Sequence, residues 1–147
     1  MNSVVILSAK RTALGSLMGQ FTGVPATQLG ATAIQAAMAQ AKLTGEQIDE
    51  VIMGCVLPAG LGQAPARQAA LAAGIAAKAG ATTINKVCGS GMKAVMFAHD
   101  AIKAGSADVI VAGGMESMTN APHLLLNSRT GIRFGSAEML DHMAWDG

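Results

Sequence analysis

Cys88 lies in the stretch 85-NKVCGSGMKAV-95, between an apolar, β-branched run and a helical pattern. That placement admits three readings. At a sharp strand-to-helix turn a cysteine can act as a nucleophile. Thiolates rather than thiols attack carbonyl carbons, and the unpaired N–H groups at a helix start favour negative charge. Gly89 and Gly91 would keep the approach free of side chains. Backbone N–H groups of the turn could also donate to the oxyanion formed when a thioester is attacked. In the second reading, Gly89-x-Gly91-x-x-Ala94 fits the dinucleotide fingerprint, with Glu116 after the next strand as a ribose-binding acid. That fingerprint normally opens the first βαβ unit of its domain, whereas here it follows the third predicted strand. The third reading is a small buried apolar residue, the commonest fate of a free cysteine. The local pattern leaves all three open.

The other residues with chemistry to offer are few. Cys55 sits inside an apolar run (VIMGCVL) and reads as a packing residue. The two cysteines lack metal-ligand spacing, so no metal site is expected. His99 lies eleven residues past Cys88 on the same predicted helix, about 16 Å along its axis, too far to activate the thiol. His123 and His142 fall after the last predicted strand, where the sequence supplies no geometry. Met115 and Glu116 follow a strand whose C-terminal end should open on the same side as Cys88, so they could line or support a pocket.

These residues must be positioned by an alternation of strands and helices. Val4–Leu7 is a short unbroken apolar run, as in a strand buried on both faces. Helical spacing runs from Ala26 to about Leu43, and Thr44 with Gln47 matches a capping box. Asp49–Leu57 reads as a second strand. Pro65 suits the first turn of a helix to about Ala73, closed by Gly74. A third strand is expected within Ala81–Val87, a helix over Ser90–Ala104 closed by Gly105, and a fourth strand over Asp108–Ala112. Such alternation predicts a mostly parallel sheet with helices on both faces, an α/β fold. Past Glu116 the periodicity is lost. Pro122 and the turn residues of Asn127–Gly131 suggest an excursion from the sheet, and no terminal element is evident at AWDG.

Composition narrows the class. Of the 147 residues 51% are hydrophobic and only 13% charged, against about 25% charged in average domains. Much of the surface is therefore expected to be covered, by an oligomer or by a larger protein. A net charge of +1 argues against nucleic-acid and polybasic membrane-surface partners. No apolar run approaches the ~18 residues needed to span a bilayer. The N-terminal residues enter the first apolar run without a secretory leader, and a reducing, cytoplasmic setting is expected.

The segments VVILSAKRTALGSLMGQF, VIMGCVLPAGLGQAPARQAAL, TTINKVCGSGMKAVMFA and VIVAGGMESMTNAPHLL, in this order, resemble the N-terminal part of a thiolase. The resemblance implies a thiolase-like three-layer α/β/α fold, here the N-terminal half of a duplicated architecture. It divides the chain into an α/β domain over 1–117, lacking its last strand, and the start of a loop region over 118–147. It matches Cys88 to the acyl-accepting cysteine of an acyl-CoA acyltransferase that makes acetoacetyl-CoA from two acetyl-CoA, or runs in reverse as thiolysis. Coenzyme A would enter as part of the substrate, with no other cofactor. By the same resemblance, the activating histidine and the acid/base cysteine belong to the C-terminal half, so Cys55 inherits neither role. Arg67, in a stretch resembling one near a dimer interface, would be structural. Arg129 and Arg133 would flank a hairpin used in assembly of a dimer of dimers. Three rivals remain: another condensing enzyme of the superfamily, a non-catalytic thiolase-like subunit, and the dinucleotide-binding oxidoreductase. The GGMESM and PARQAA segments favour thiolase over the first.

Overall fold

A computed structural model describes residues 3–147; Met1 and Asn2, the first two positions of the 1–117 segment, lie outside the described residues. Its centre is β1 (Glu50–Gly54), where Val51, Ile52 and Met53 are all buried. It pairs in parallel with β2 (Gly80–Ile84) on one side and β3 (Ile110–Gly114) on the other. The register sets Ile52 opposite Thr82 and Ala112.

Because strand side chains alternate between faces, this register sorts the sheet into two surfaces. Val51 and Met53 join a core with α1 (Ala26–Ala41) and α2 (Pro65–Ala72), which contribute Ala31, Ile34, Ala66 and Ala69. Ile52 and Gly54 face the other way, toward α3 (Ser90–Lys103) and its buried Ala94 and Ala98. Helices thus cover both faces of a mostly parallel sheet. The many alanines let them come close.

Several predicted elements form within two residues of their expected bounds, and polar groups explain where they start and stop. Gln47 accepts from the Thr44 amide at 2.8 Å in the expected capping box, which opens a 3₁₀ turn. The N-cap of α2 is Ala64, which has no side-chain acceptor, so Thr83 of β2 reaches across to accept from the Ala66 amide at 2.9 Å. Arg67 donates to the Ala79 and Ala77 carbonyls at 2.6 and 2.8 Å and so holds the turn before β2.

Asp49 is a second staple. One carboxylate oxygen accepts from the Asp108 and Val109 amides at 2.9 and 2.8 Å, fixing the entry to β3 beside β1. The Val109 and Asp108 amides favour the ionised form and hold this carboxyl below the ordinary value of 3.8. A depressed folded value means that the stabilisation is complete above the unfolded value and is lost as pH falls through the folded one. In thermal melts of the full-length protein, Asp49→Asn is expected to lower Tm at neutral pH. The gap from wild type should close as pH falls below 3.8; a gap independent of pH would contradict this role.

Besides β1, which ends at Gly54 rather than Leu57, three expectations fail. The Val4–Leu7 strand does not form: Val5, Ile6 and Leu7 are 66%, 80% and 59% exposed. Their segment is tethered to α1 by Ser8, whose hydroxyl donates to the Ala37 carbonyl at 2.8 Å. The reason is the absence of a ladder partner, since among the described residues the outer edge of β3 pairs with no strand. The last strand of the sheet starts and ends two residues later than predicted, because Gly113 and Gly114 lie in its ladder rather than terminating it. Beyond Glu116 the chain is not without elements. Antiparallel β4 (His123–Leu125) and β5 (Met139–Asp141) flank the expected turn, and the short α4 (His142–Asp146) follows, capped by Asp141 accepting from Met143.

Candidate active site

The turn from β2 into α3 reverses the chain over five residues. Val87 takes a left-handed conformation, φ +46°. Its amide donates to Asn85 Oδ1 at 2.8 Å, and its carbonyl accepts from the Ser90 hydroxyl at 2.6 Å. The same Ser90 oxygen accepts from the Lys86 amide at 2.8 Å. The Gly89 and Ser90 amides donate to the Lys86 and Val87 carbonyls. Four amides of the turn, those of Lys86, Val87, Gly89 and Ser90, are therefore occupied within it, and Cys88 forms an isolated bridge with Lys86. These four amides are thus committed within the turn rather than offered to an oxyanion.

Close backbone packing brings α3 onto the sheet ends. A Cβ on Gly54 would lie 2.6 Å from Ser90 Cβ and 2.9 Å from the Gly91 nitrogen, and one on Gly114 would lie 3.3 Å from Gly91 Cα. The second glycine of the fingerprint is thus committed to helix-to-sheet contact. The arrangement leaves Cys88 exposed at the C-terminal ends of the strands. It borders a cavity of about 400 Å³ whose other walls include Met115, Glu116, Leu29, Lys10 and Arg11.

Glu116 shapes that cavity from below. Its two carboxylate oxygens accept from the Val56 and Leu57 amides at 2.8 and 3.0 Å, and the Cys55 thiol lies 3.6 Å away. The chain leaving β1 is thereby bent around a carboxylate, which is why the strand stops at Gly54 instead of running to Leu57. Cys55 itself is 2% exposed. Burial and then the Glu116 charge push its thiol up to about 12, so it remains protonated and unreactive. The two cysteines are opposite in exposure, Cys55 buried and Cys88 exposed.

Residues 4–147 match the thiolase N-terminal domain. The chain belongs to the thiolase family. It is 56% identical over its whole length to the acetyl-CoA acetyltransferase of Cupriavidus necator, and 52% identical to that of Escherichia coli. The crystal structure of Acat5 thiolase from Ascaris suum in complex with coenzyme A superposes on 97% of the chain with a TM-score of 0.93 at 40% identity. The chain spans 37% of the length of the first and third of these proteins and 38% of the second.

Within this thiolase domain none of the three histidines lines the cavity beside Cys88. His99 is exposed on α3 and pairs with Asp100 at 3.0 Å. His123 is exposed on β4. His142 is buried: its Nε2 accepts from the Ala59 amide at 3.3 Å, and its Nδ1 bonds Asp146 at 2.6 Å, clasping α4 to the loop after β1. Among the described residues no group of His, Cys, Asp and Glu could hold a metal. Sequence reasoning missed Lys10 and Arg11, which follow the apolar run misread as a strand. It also missed Asn85 and Ser90. Their signal was available: an Asn two residues before an amide it can accept from, and a Ser at the first position of a helix.

Proposed function

We propose that Cys88 is the acyl-accepting nucleophile of an acyl-CoA acyltransferase, which interconverts two acetyl-CoA with acetoacetyl-CoA and free CoA. One observation carries this reading: the exposed thiol stands at the start of α3, on a cavity at the strand ends. The names of the relatives and the coenzyme A in the solved thiolase support the choice of substrate.

In the first half-reaction the Cys88 thiolate attacks the thioester carbonyl carbon of acetyl-CoA. The oxyanion gains the Cys88 N–H as one donor, a bond that strengthens as charge develops. Collapse breaks the carbon–sulfur bond to CoA, which leaves as a thiol after taking a proton, and the acetyl group stays on Cys88. A second acetyl-CoA then loses an α-proton to a base. Its carbanion attacks the acetyl carbonyl, and Cys88 leaves as thiolate. Two moderate steps replace one hard one.

By the resemblance to thiolases the base and the second acid/base group would come from the C-terminal half of the protein; among the described residues the one carboxylate lining the cavity, Glu116, is held by backbone amides. On this reading residues 1–117 form the N-terminal α/β domain and 118–147 begin the loop region. The tip between β4 and β5, with Arg129 and Arg133, would serve a dimer of dimers in the cytoplasm. A net charge of +1 supports small-molecule rather than nucleic-acid partners. Among the described residues no helix is long and apolar enough to cross a membrane.

The test is thiolysis by the full-length protein. Given acetoacetyl-CoA and free CoA, it should consume both and release two acetyl-CoA per turnover. No consumption, with tight NADH binding instead, would overturn the proposal in favour of the dinucleotide reading.

A further inference from the structure

We infer that Ser90 and Asn85 are positioning residues whose side chains hold Val87 in its left-handed conformation, and through it aim the Cys88 thiol and amide at the cavity. The inference rests on the reading of Cys88 as nucleophile. Among the described residues five non-glycines have positive φ: Met18, Lys42, Ala64, Val87 and Asn127. Val87 alone is β-branched. For such a residue the left-handed region is a true outlier, because Cβ crowds the following carbonyl. Such a conformation persists only where its surroundings over-determine it.

Packing is not what does so here, since Val87 is 52% exposed. Hydrogen bonds do. Asn85 Oδ1 takes the amide on one side of Val87, and the Ser90 hydroxyl takes the carbonyl on the other. Ser90 also accepts from Lys86, so one oxygen pins the peptide groups on either side of the one that Asn85 holds. It is 4% exposed, one of two buried polar residues among those described. Released from this clasp, Val87 would relax toward an extended or right-handed conformation. The peptide plane that carries the Cys88 amide would rotate with it, and the thiol would leave its aim. Ser90 could instead matter only by filling space beneath Gly54, and the two roles are separable.

The separation uses glycine, which takes the left-handed conformation without the steric cost. The readout is the rate at which Cys88 is acetylated in the full-length protein at saturating acetyl-CoA, followed by quenching and peptide mass. Ser90→Ala should slow acetylation about tenfold, with half-saturation little changed. In a Val87→Gly background the same Ser90→Ala change should cost no more than about threefold, a coupling that a double-mutant cycle isolates. An equal loss in both backgrounds would overturn the inference and leave Ser90 as packing. Should Ser90→Ala fail to fold, recovery by Val87→Gly supports the clasp. In that case Asn85→Leu, read in the same two backgrounds, carries the test, and an additive result overturns it. If the unsubstituted protein forms no acetyl adduct on Cys88, the nucleophile reading itself fails, an outcome distinct from any of these.

Discussion

Replacing Cys88 by alanine in the full-length protein should lower kcat for thiolysis by about 10³-fold or more, the scale on which covalent catalysis depends on its nucleophile. The reason is specific to this site. Glu116 is committed to the Val56 and Leu57 amides, and Cys55 is buried as a thiol held at about 12. Neither can take over the acyl group. Cys55→Ala should leave kcat within about threefold, because it removes only a buried sulfur and its weak contact with Glu116. Steady-state assays of the two variants side by side check both statements. Retained activity in Cys88→Ala would favour the non-catalytic subunit.

The second large effect concerns the segment alone. Residues 1–147 expressed by themselves should show no thiolysis, and should expose enough apolar surface to bind a hydrophobic dye and self-associate. The sheet-facing side of α3 is buried through Ala94 and Ala98, yet its outer side carries Met92, Val95, Met96 and Phe97 at 42–69% exposure. An exposed patch of this kind marks a surface meant to be covered. Val5, Ile6 and Leu7, on the segment tethered to α1, are exposed as well, and among the described residues the outer edge of β3 pairs with no strand. Turnover by the isolated segment at the rate of the full-length protein would refute the claim that the base lies elsewhere.

The sequence made legible whatever depended on local periodicity and local turns. Helices α1, α2 and α3 have apolar spacing, α2 and α3 have glycine stops at Gly74 and Gly105, and β1 is a run too apolar to face water. The failures share a cause, in that strand identity is settled by neighbours. Val4–Leu7 has the composition of a strand and no ladder to join. Gly113 and Gly114 look like a terminator, yet both pair in the ladder of β3, and Gly114 lets α3 approach its end closely. The three-residue strands β4 and β5 are too short to show a period of two. At the site, Cys88 stood out by type and place. Ser90 did not, because its role is a pair of hydrogen bonds to residues three and four positions earlier, visible only once Val87 is seen to turn left-handed. Glu116 was legible as a neighbour of the pocket but not as the acceptor that bends the chain after β1.

The central claim is that Cys88 carries the acyl group. The most direct measurement mixes the full-length protein with acetyl-CoA alone, quenches with acid, digests, and reads the masses of the peptides containing Cys88 and Cys55. An acetyl thioester on the Cys88 peptide, removable by hydroxylamine and absent from the Cys55 peptide, is the predicted result. An adduct on another residue, or none under conditions where thiolysis proceeds, would contradict it.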